Sequence, residues 1–251
     1  MTVMTQVDAP RVSTLDRSTA TRLAETEYGR VEEQLRSLDR DAWTRPTCCT
    51  GWDVRAVAGH VLGMTEMAAS VVESVRQQRA AKKAGGVLVD ALTAHQVATR
   101  ADLSTVQLLT RLSAKGPKAV VGRRRAPGFV RRRAMVTQAS VDGPEEEWTM
   151  GFLFDTILTR DPWMHRLDIA EATHTPLVLT AEHDGVLVAD VVHEWAGRHG
   201  RPCAVHLTGP AGGTFTFGAG GPQIEADAVD FCRALSGRGD QAPPLDTHVP
   251  F

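Results

Sequence analysis

Two stretches decide the fold: CTGWDVRAVAGHVLGM at residues 49–64 and LTRDPWMHRLDIAEATH at residues 158–174. In the first, Asp53 stands immediately before a periodic run, where its carboxylate can accept orphan amide protons as an N-cap. Val57, Val61, Met64, Ala68, Val71 and Val75 then recur every three or four residues, which predicts a helix over 54–79. Its small alanines and serines invite a neighbouring helix to approach closely. In the second stretch, Phe152, Ile157, Met164, Leu167 and Ile169 predict a helix over 148–173, bent at Pro162 by the loss of one amide donor. Working outward, Leu23, Val31, Leu35 and Leu38 mark a charged amphipathic helix over 15–38. A further helix is predicted over 88–112, stopped by Gly116-Pro117. Four long helices with one extended connection read as a four-helix bundle. That connection holds a basic segment at 118–133 and an acidic turn, DGPEEE, at 142–147.

Beyond Pro176 the pattern changes. A helix over 184–198 precedes CAVHLTG, whose alternation suits a half-buried strand. GPAGG and GAGG read as turns, TFTFG as a second strand, and a short helix opens near Asp227 and stops at Gly237. The fold class expected is therefore an α-helical bundle over 15–175 followed by a small α+β domain over 176–240. The proline-rich residues 241–251 are expected to form a peripheral tail.

At 251 residues the chain is long enough to bury a large core without a metal or disulfide. Its 42% hydrophobic and 23% charged residues set it apart from disordered chains. A net charge of −2 argues against a protein that coats polyanions. Four cysteines without a Cys-x-x-Cys pair are no disulfide framework at this length. With neither a signal-peptide core nor an eighteen-residue apolar run, the expectation is a cytoplasmic protein with no membrane span.

The chemistry concentrates at Asp161 and His165. A spacing of four stacks both side chains on one helical face, where they can close on one divalent ion if a third ligand arrives from another helix. His60, beside the apolar stripe of the second helix, is the candidate. Two histidines and a carboxylate leave a position open for water or substrate, the pattern of catalytic sites. Asp168 can orient the His165 imidazole, or pair with Arg166 or Arg160 on the surface. The plain alternative is a surface ion pair plus a hydrogen-bonded core histidine.

The two quoted stretches resemble the mycothiol-dependent maleylpyruvate isomerase family, within the DinB-like superfamily of metal-binding four-helix bundles. The resemblance spans most of the chain, the bundle matching about 15–175 and the C-terminal part similar in character to that family's small second domain. It implies metal ligation by His60 and His165, with Asp161 where those isomerases usually carry a glutamate, an arm shorter by about 1.5 Å. It also implies that Arg238, in the ending ALSGR, serves as the family's essential catalytic arginine. The activity implied is that of a divalent-metal-dependent thiol transferase or isomerase. Its cofactors would be a metal ion, zinc foremost, and mycothiol or a similar low-molecular-weight thiol. The thiol would add to a small electrophilic substrate, and arginines at 123–133 and 238 would receive an acidic one.

Other readings stay open. Cys48 and Cys49 precede the helix of His60 and suggest nucleophilic catalysis or metal ligation, against the plainer role of small hydrophobes. Six arginines between 123 and 133 suggest phosphate binding; the net charge and the single interleaved aromatic, Phe129, argue against nucleic acid and for a solvated face. A non-catalytic metal-binding or scaffold protein of the same fold is the remaining alternative, as monomer or homodimer.

Overall fold

The computed structural model describes residues 10–138, 145–238 and 245–251. Helix α1 (Arg17–Ser37) starts at Asp16, whose side chain accepts from the Ser18 and Thr19 amides. Helix α2 (Val54–Ala69) starts at Asp53 as its sequence predicts, the carboxylate accepting from the Ala56 amide. The run expected to reach residue 79 breaks at Ser70, which accepts from the Glu73 amide and opens α3 (Val71–Ala84). The helix expected over 88–112 is likewise two: α4 (Leu88–Ala98) and α5 (Thr105–Arg125). Ser104 and Gln107 form a reciprocal capping box at the start of α5.

Helix α5 runs straight through Gly116-Pro117, contrary to the expected stop. Pro117 and Ser113, whose carbonyl lies four residues before it, are both exposed, so water can serve the carbonyl that the proline leaves free. The basic segment is accordingly helical as far as Arg125, followed by the short α6 (Gly128–Arg131). An antiparallel pair, β1 (Ala134–Gln138) and β2 (Glu145–Thr149), precedes the last bundle helix. Glu145–Glu147 thus belong to a strand, while the first part of the expected acidic turn lies outside the described residues.

That last helix begins with a short turn, α7 (Met150–Phe152), passes through a π-type segment (Leu153–Ile157) and continues as α8 (Leu158–Thr173). Pro162 deprives the Leu158 carbonyl of its helical donor. Arg123 replaces it from α5, its Nη1 donating to Leu158 O at 3.0 Å and its Nε to Phe154 O at 2.6 Å. Arg123 is buried, so this member of the basic segment is a structural clasp, and Arg131 pairs with Asp155.

In the C-terminal part, α9 (Val186–His199) and α10 (Ala228–Leu235) accompany a sheet of order β4-β3-β5, built from β3 (Cys203–Thr208), β4 (Gly213–Phe217) and β5 (Gln223–Asp227). Strands β3 and β5 are parallel; β5 had no counterpart in the sequence reading. Three apolar clusters follow, the smallest of Trp148, Phe152 and Ile157 beside the β1–β2 pair. A second packs Val31, Leu35, Val57, Val61 and Leu108 inside the bundle. The third joins Leu23, Trp163 and Leu167 of α1 and α8 to Val191, Trp195, Val205 and Phe231 of the C-terminal part. The end of the chain is not peripheral. Val249 is buried, Pro250 accepts from Arg160, and the Phe251 ring stacks on Trp163. The resulting architecture is mostly helical, with a small C-terminal sheet. None of the described helices is long and apolar enough to cross a membrane.

Candidate functional site

Helices α2 and α8 bring His60, Asp161 and His165 together. Asp161 Oδ1 lies 3.1 Å from His60 Nε2 and 3.7 Å from His165 Nε2. Their ligand atoms fall within 4.8 Å of one another. The short aspartate arm therefore reaches the histidine of the facing helix without help. Both imidazoles are buried, and Trp52 covers them with ring centroids 5.4 and 6.1 Å away.

His165 Nδ1 lies 2.9 Å from Asp168 Oδ2. An N–H donated there leaves Nε2 as a lone-pair acceptor. That nitrogen and the Asp161 carboxylate then face each other as two acceptors, an arrangement that calls for a cation or a proton between them. Asp161 Oδ2 and His60 Nδ1 are, in addition, buried polar atoms without a hydrogen-bond partner. Spacings of 3.1 and 3.7 Å also bracket the ~3.4 Å expected between adjacent ligands of a tetrahedral ion with bonds near 2.1 Å. The donor set fits a divalent metal by chemistry, burial and spacing.

Charge surrounds the group in an ordered way. Burial acts to raise the Asp161 carboxyl, but His60, then His165 and Arg238, outweigh it and hold it below its ordinary value. Asp168, fully buried, is held well below the usual carboxylate range: burial opposes its charge, and the His165 hydrogen bond and Arg238 prevail. Arg238 grips Asp168 through Nε at 2.9 Å and Nη2 at 3.1 Å, and Arg233 approaches the same carboxylate at 3.5 Å. Arg238 thus stands on the far side of Asp168 and is absent from the His60–Asp161–His165 group. Of the roles considered for Asp168, orientation of His165 agrees with this geometry. Pairing with surface arginines does not, because Arg160 and Arg166 are buried and engaged with Asp190 and Glu194, and with Glu27 and Asp184.

The sequence reading undervalued the Cys48–Cys49 loop. Cys48 Sγ donates to Asp168 Oδ1 at 3.0 Å, and Cys49 Sγ lies 3.5 Å from Oδ2 of the same carboxylate and 3.8 Å from Arg238. The Cys49 hydrogen bond lowers the exposed Cys48 thiol, while Cys49 is raised by its bond to Cys48 and by burial. No spacing rule could have found this, since the contacts join loop 48–49 to α8 and to Arg238, just past the end of α10. All four cysteines are free.

A bundle that gathers two histidines and a carboxylate from facing helices, backed by a small α+β unit, is a DinB-like fold. The chain belongs to the family of the mycothiol maleylpyruvate isomerase N-terminal domain, whose family model matches residues 24–170. Among solved structures it is similar to the crystal structure of the mycothiol-dependent maleylpyruvate isomerase, with a TM-score of 0.58, 14% identity and 90% of each chain covered. A histidine-to-alanine mutant of that enzyme matches with a TM-score of 0.54 at the same identity and coverage. At that identity the likeness concerns the fold. No curated protein matches the chain in sequence.

Proposed function

We propose that this protein is a divalent-metal-dependent thiol transferase or isomerase that activates a low-molecular-weight thiol, of the mycothiol type, for addition to an electrophilic carbon. The observation that carries the reading is the convergence of the Asp161 carboxylate, 3.1 Å from His60 Nε2 and 3.7 Å from His165 Nε2, in a buried group under Trp52. Membership of a family named for a mycothiol-dependent isomerase supports the thiol. His60, Asp161 and His165 would hold the ion; zinc suits two nitrogens and one oxygen with a position left open, and nickel, cobalt or iron accept the same donors. When bound, such an ion supplies the Lewis acidity that makes a thiolate available near neutral pH.

The remaining work falls to the chain. Asp168, 2.9 Å from His165 Nδ1, fixes the orientation of the ring so that Nε2 faces Asp161. Arg238 and Arg233 hold Asp168 ionised, which makes Arg238 a positioning residue that acts through Asp168. Trp52 limits access of water to the imidazoles. Residues 15–175 form the metal-binding unit in this reading, and residues 176–240 contribute the two arginines.

The test is elemental analysis of protein purified without added metal, for the wild type, His60→Ala and His165→Ala. Metal is expected near one per chain in the first and well below that in both variants, with helical content unchanged. Equal stoichiometry in all three would overturn the assignment. Metal that disappears on substitution, combined with no thiol adduct across a panel of thiols and electrophiles, would leave a metal-binding protein without turnover.

A further inference from the structure

Beside His60 and Asp161 lies a cavity of about 250 Å³, enclosed by α2, α4, the β1–β2 pair, the π-type segment and the last two residues of the chain. Its walls are apolar: Met64, Leu92, Met135, Trp148, Leu153 and Ile157 carry most of them, and Phe251 closes one end. Among the described lining residues there is no lysine or arginine. The three stretches outside the description hold no lysine or arginine either: residues 1–9 read MTVMTQVDA, residues 139–144 ASVDGP and residues 239–244 GDQAPP. Two carboxylates do border the space, Asp161 beside His60 and the exposed Asp90 on α4. The cations near the site, Arg233 and Arg238, sit on Asp168, behind His165, and do not line this cavity.

We infer that the electrophile taken by this site is an uncharged, largely apolar small molecule, aromatic or alkyl in character, and not an acid. The inference rests on the reading of His60, Asp161 and His165 as the reaction centre. A ligand carboxylate entering the cavity would lose its water, find no guanidinium or ammonium to replace it, and meet two aspartates. Only the reaction centre itself could pair with such a group. An aromatic ring or alkyl chain, in contrast, exchanges water for methionine, leucine and tryptophan surface. Of the arginines that the sequence offers for an acidic substrate, Arg123 is engaged on backbone carbonyls, Arg131 on Asp155 and Arg238 on Asp168, and Arg124, Arg125, Arg132 and Arg133 do not line the cavity.

The test compares two ligands with the same rings, 2-naphthol and 2-naphthoate, by calorimetric titration of the full-length protein, metal-loaded and with chelator. The neutral ligand is expected to bind at least tenfold more tightly in both conditions. Met135→Lys, which places a cation on the wall, is expected to narrow the ratio several-fold, and Leu153→Trp, which fills the cavity, to abolish binding of both. Equal or tighter binding of the carboxylate by the wild type would overturn the inference, as would unchanged affinity in Leu153→Trp. Turnover separates this from the reaction on which it rests. Thiol addition fastest with acidic electrophiles would keep the reaction and overturn the substrate class. Selective binding of 2-naphthol without thiol addition to any electrophile would keep the cavity's preference and remove the reaction.

Discussion

Asp168 is the residue on which the polar half of the site converges. It receives a hydrogen bond from His165, two from Arg238 and one from Cys48 while fully buried. Replacing it by asparagine preserves the shape but removes the charge, so His165 can adopt either tautomer and Arg238 loses its counter-ion. Substitution of a group that orients a metal-binding histidine typically weakens metal affinity by about 10–100-fold. Asp168→Asn is expected to fall in that range by competition with a chromogenic chelator. Arg238→Lys keeps a positive charge but not the paired donation to Asp168. It is expected to lose less affinity than Asp168→Asn and to move the pH midpoint of metal uptake upward, because a weaker site fills only when more of its ligands are deprotonated. An unchanged midpoint would mean that Arg238 only braces the fold. These three residues were separately visible in the sequence, and the order His165–Asp168 follows from a helical spacing of three. What spacing could not supply was the far partner, because Arg238 reaches Asp168 across 70 residues of sequence.

At the scale of elements, proline and glycine positions decide how the helices meet. Pro162 removes a donor inside α8, and Arg123 of α5 serves the freed Leu158 carbonyl and, through Nη2, Thr159. Arg123→Met keeps an unbranched side chain but leaves those buried acceptors without donors, at a cost of about 1–3 kcal/mol for each group left unsatisfied. Pro162→Ala restores an amide proton to Leu158. The loss of stability from Arg123→Met is therefore expected to be smaller in the Pro162→Ala background, a coupling readable from urea midpoints in a double-mutant cycle. Additive losses would deny that the arginine compensates for the proline. A second contact is equally specific: a Cβ on Gly122 of α5 would lie 2.6 Å from the Ala68 carbonyl oxygen of α2. Gly122→Ala is expected to destabilise by about 1–3 kcal/mol, as overpacked cores do, with metal binding reduced only in proportion to unfolding. The sequence announced close helix packing through its small residues, yet it misjudged where helices stop. Ser70-x-x-Glu73 and Ser104-x-x-Gln107 are helix-start patterns lying inside runs whose apolar period continues across them. Periodicity alone fused each pair. Pro117 misled in the opposite direction, because an exposed proline can be carried within a helix.

Across the whole molecule, the bundle and the C-terminal part are joined by charge as well as by apolar packing. Glu27 on α1 binds Arg166 on α8 at 2.9 Å and His183 at 2.7 Å. On Oδ1, Asp184 receives Arg166 at 2.6 Å and the Trp163 indole at 3.0 Å; on Oδ2 it receives the Thr180 amide at 2.7 Å and Arg30. This network shares no residue with the His60–Asp161–His165 group, and Asp184 itself lies outside α8, so it can be probed by substitution at Asp184. Removing one partner of a buried pair strands the other charge, typically at about 3–5 kcal/mol. Asp184→Asn is expected to lose stability on that scale at neutral pH, read as a shift of the urea midpoint. The pH dependence follows from the same carboxylate. Burial would raise Asp184, but the Thr180 amide, Arg166, Trp163 and Arg30 hold it below its ordinary value. Its folded state therefore binds a proton less readily than the unfolded chain, where an aspartate titrates near ~3.9. Stability contributed by Asp184 is fully present above that unfolded value and drains away as pH falls through it toward the folded one. Between about pH 5 and 3, the wild type is expected to lose urea resistance more steeply than Asp184→Asn, so that the two curves converge on acidification. Parallel curves would place the acid sensitivity in other carboxylates and leave Asp184 as packing alone.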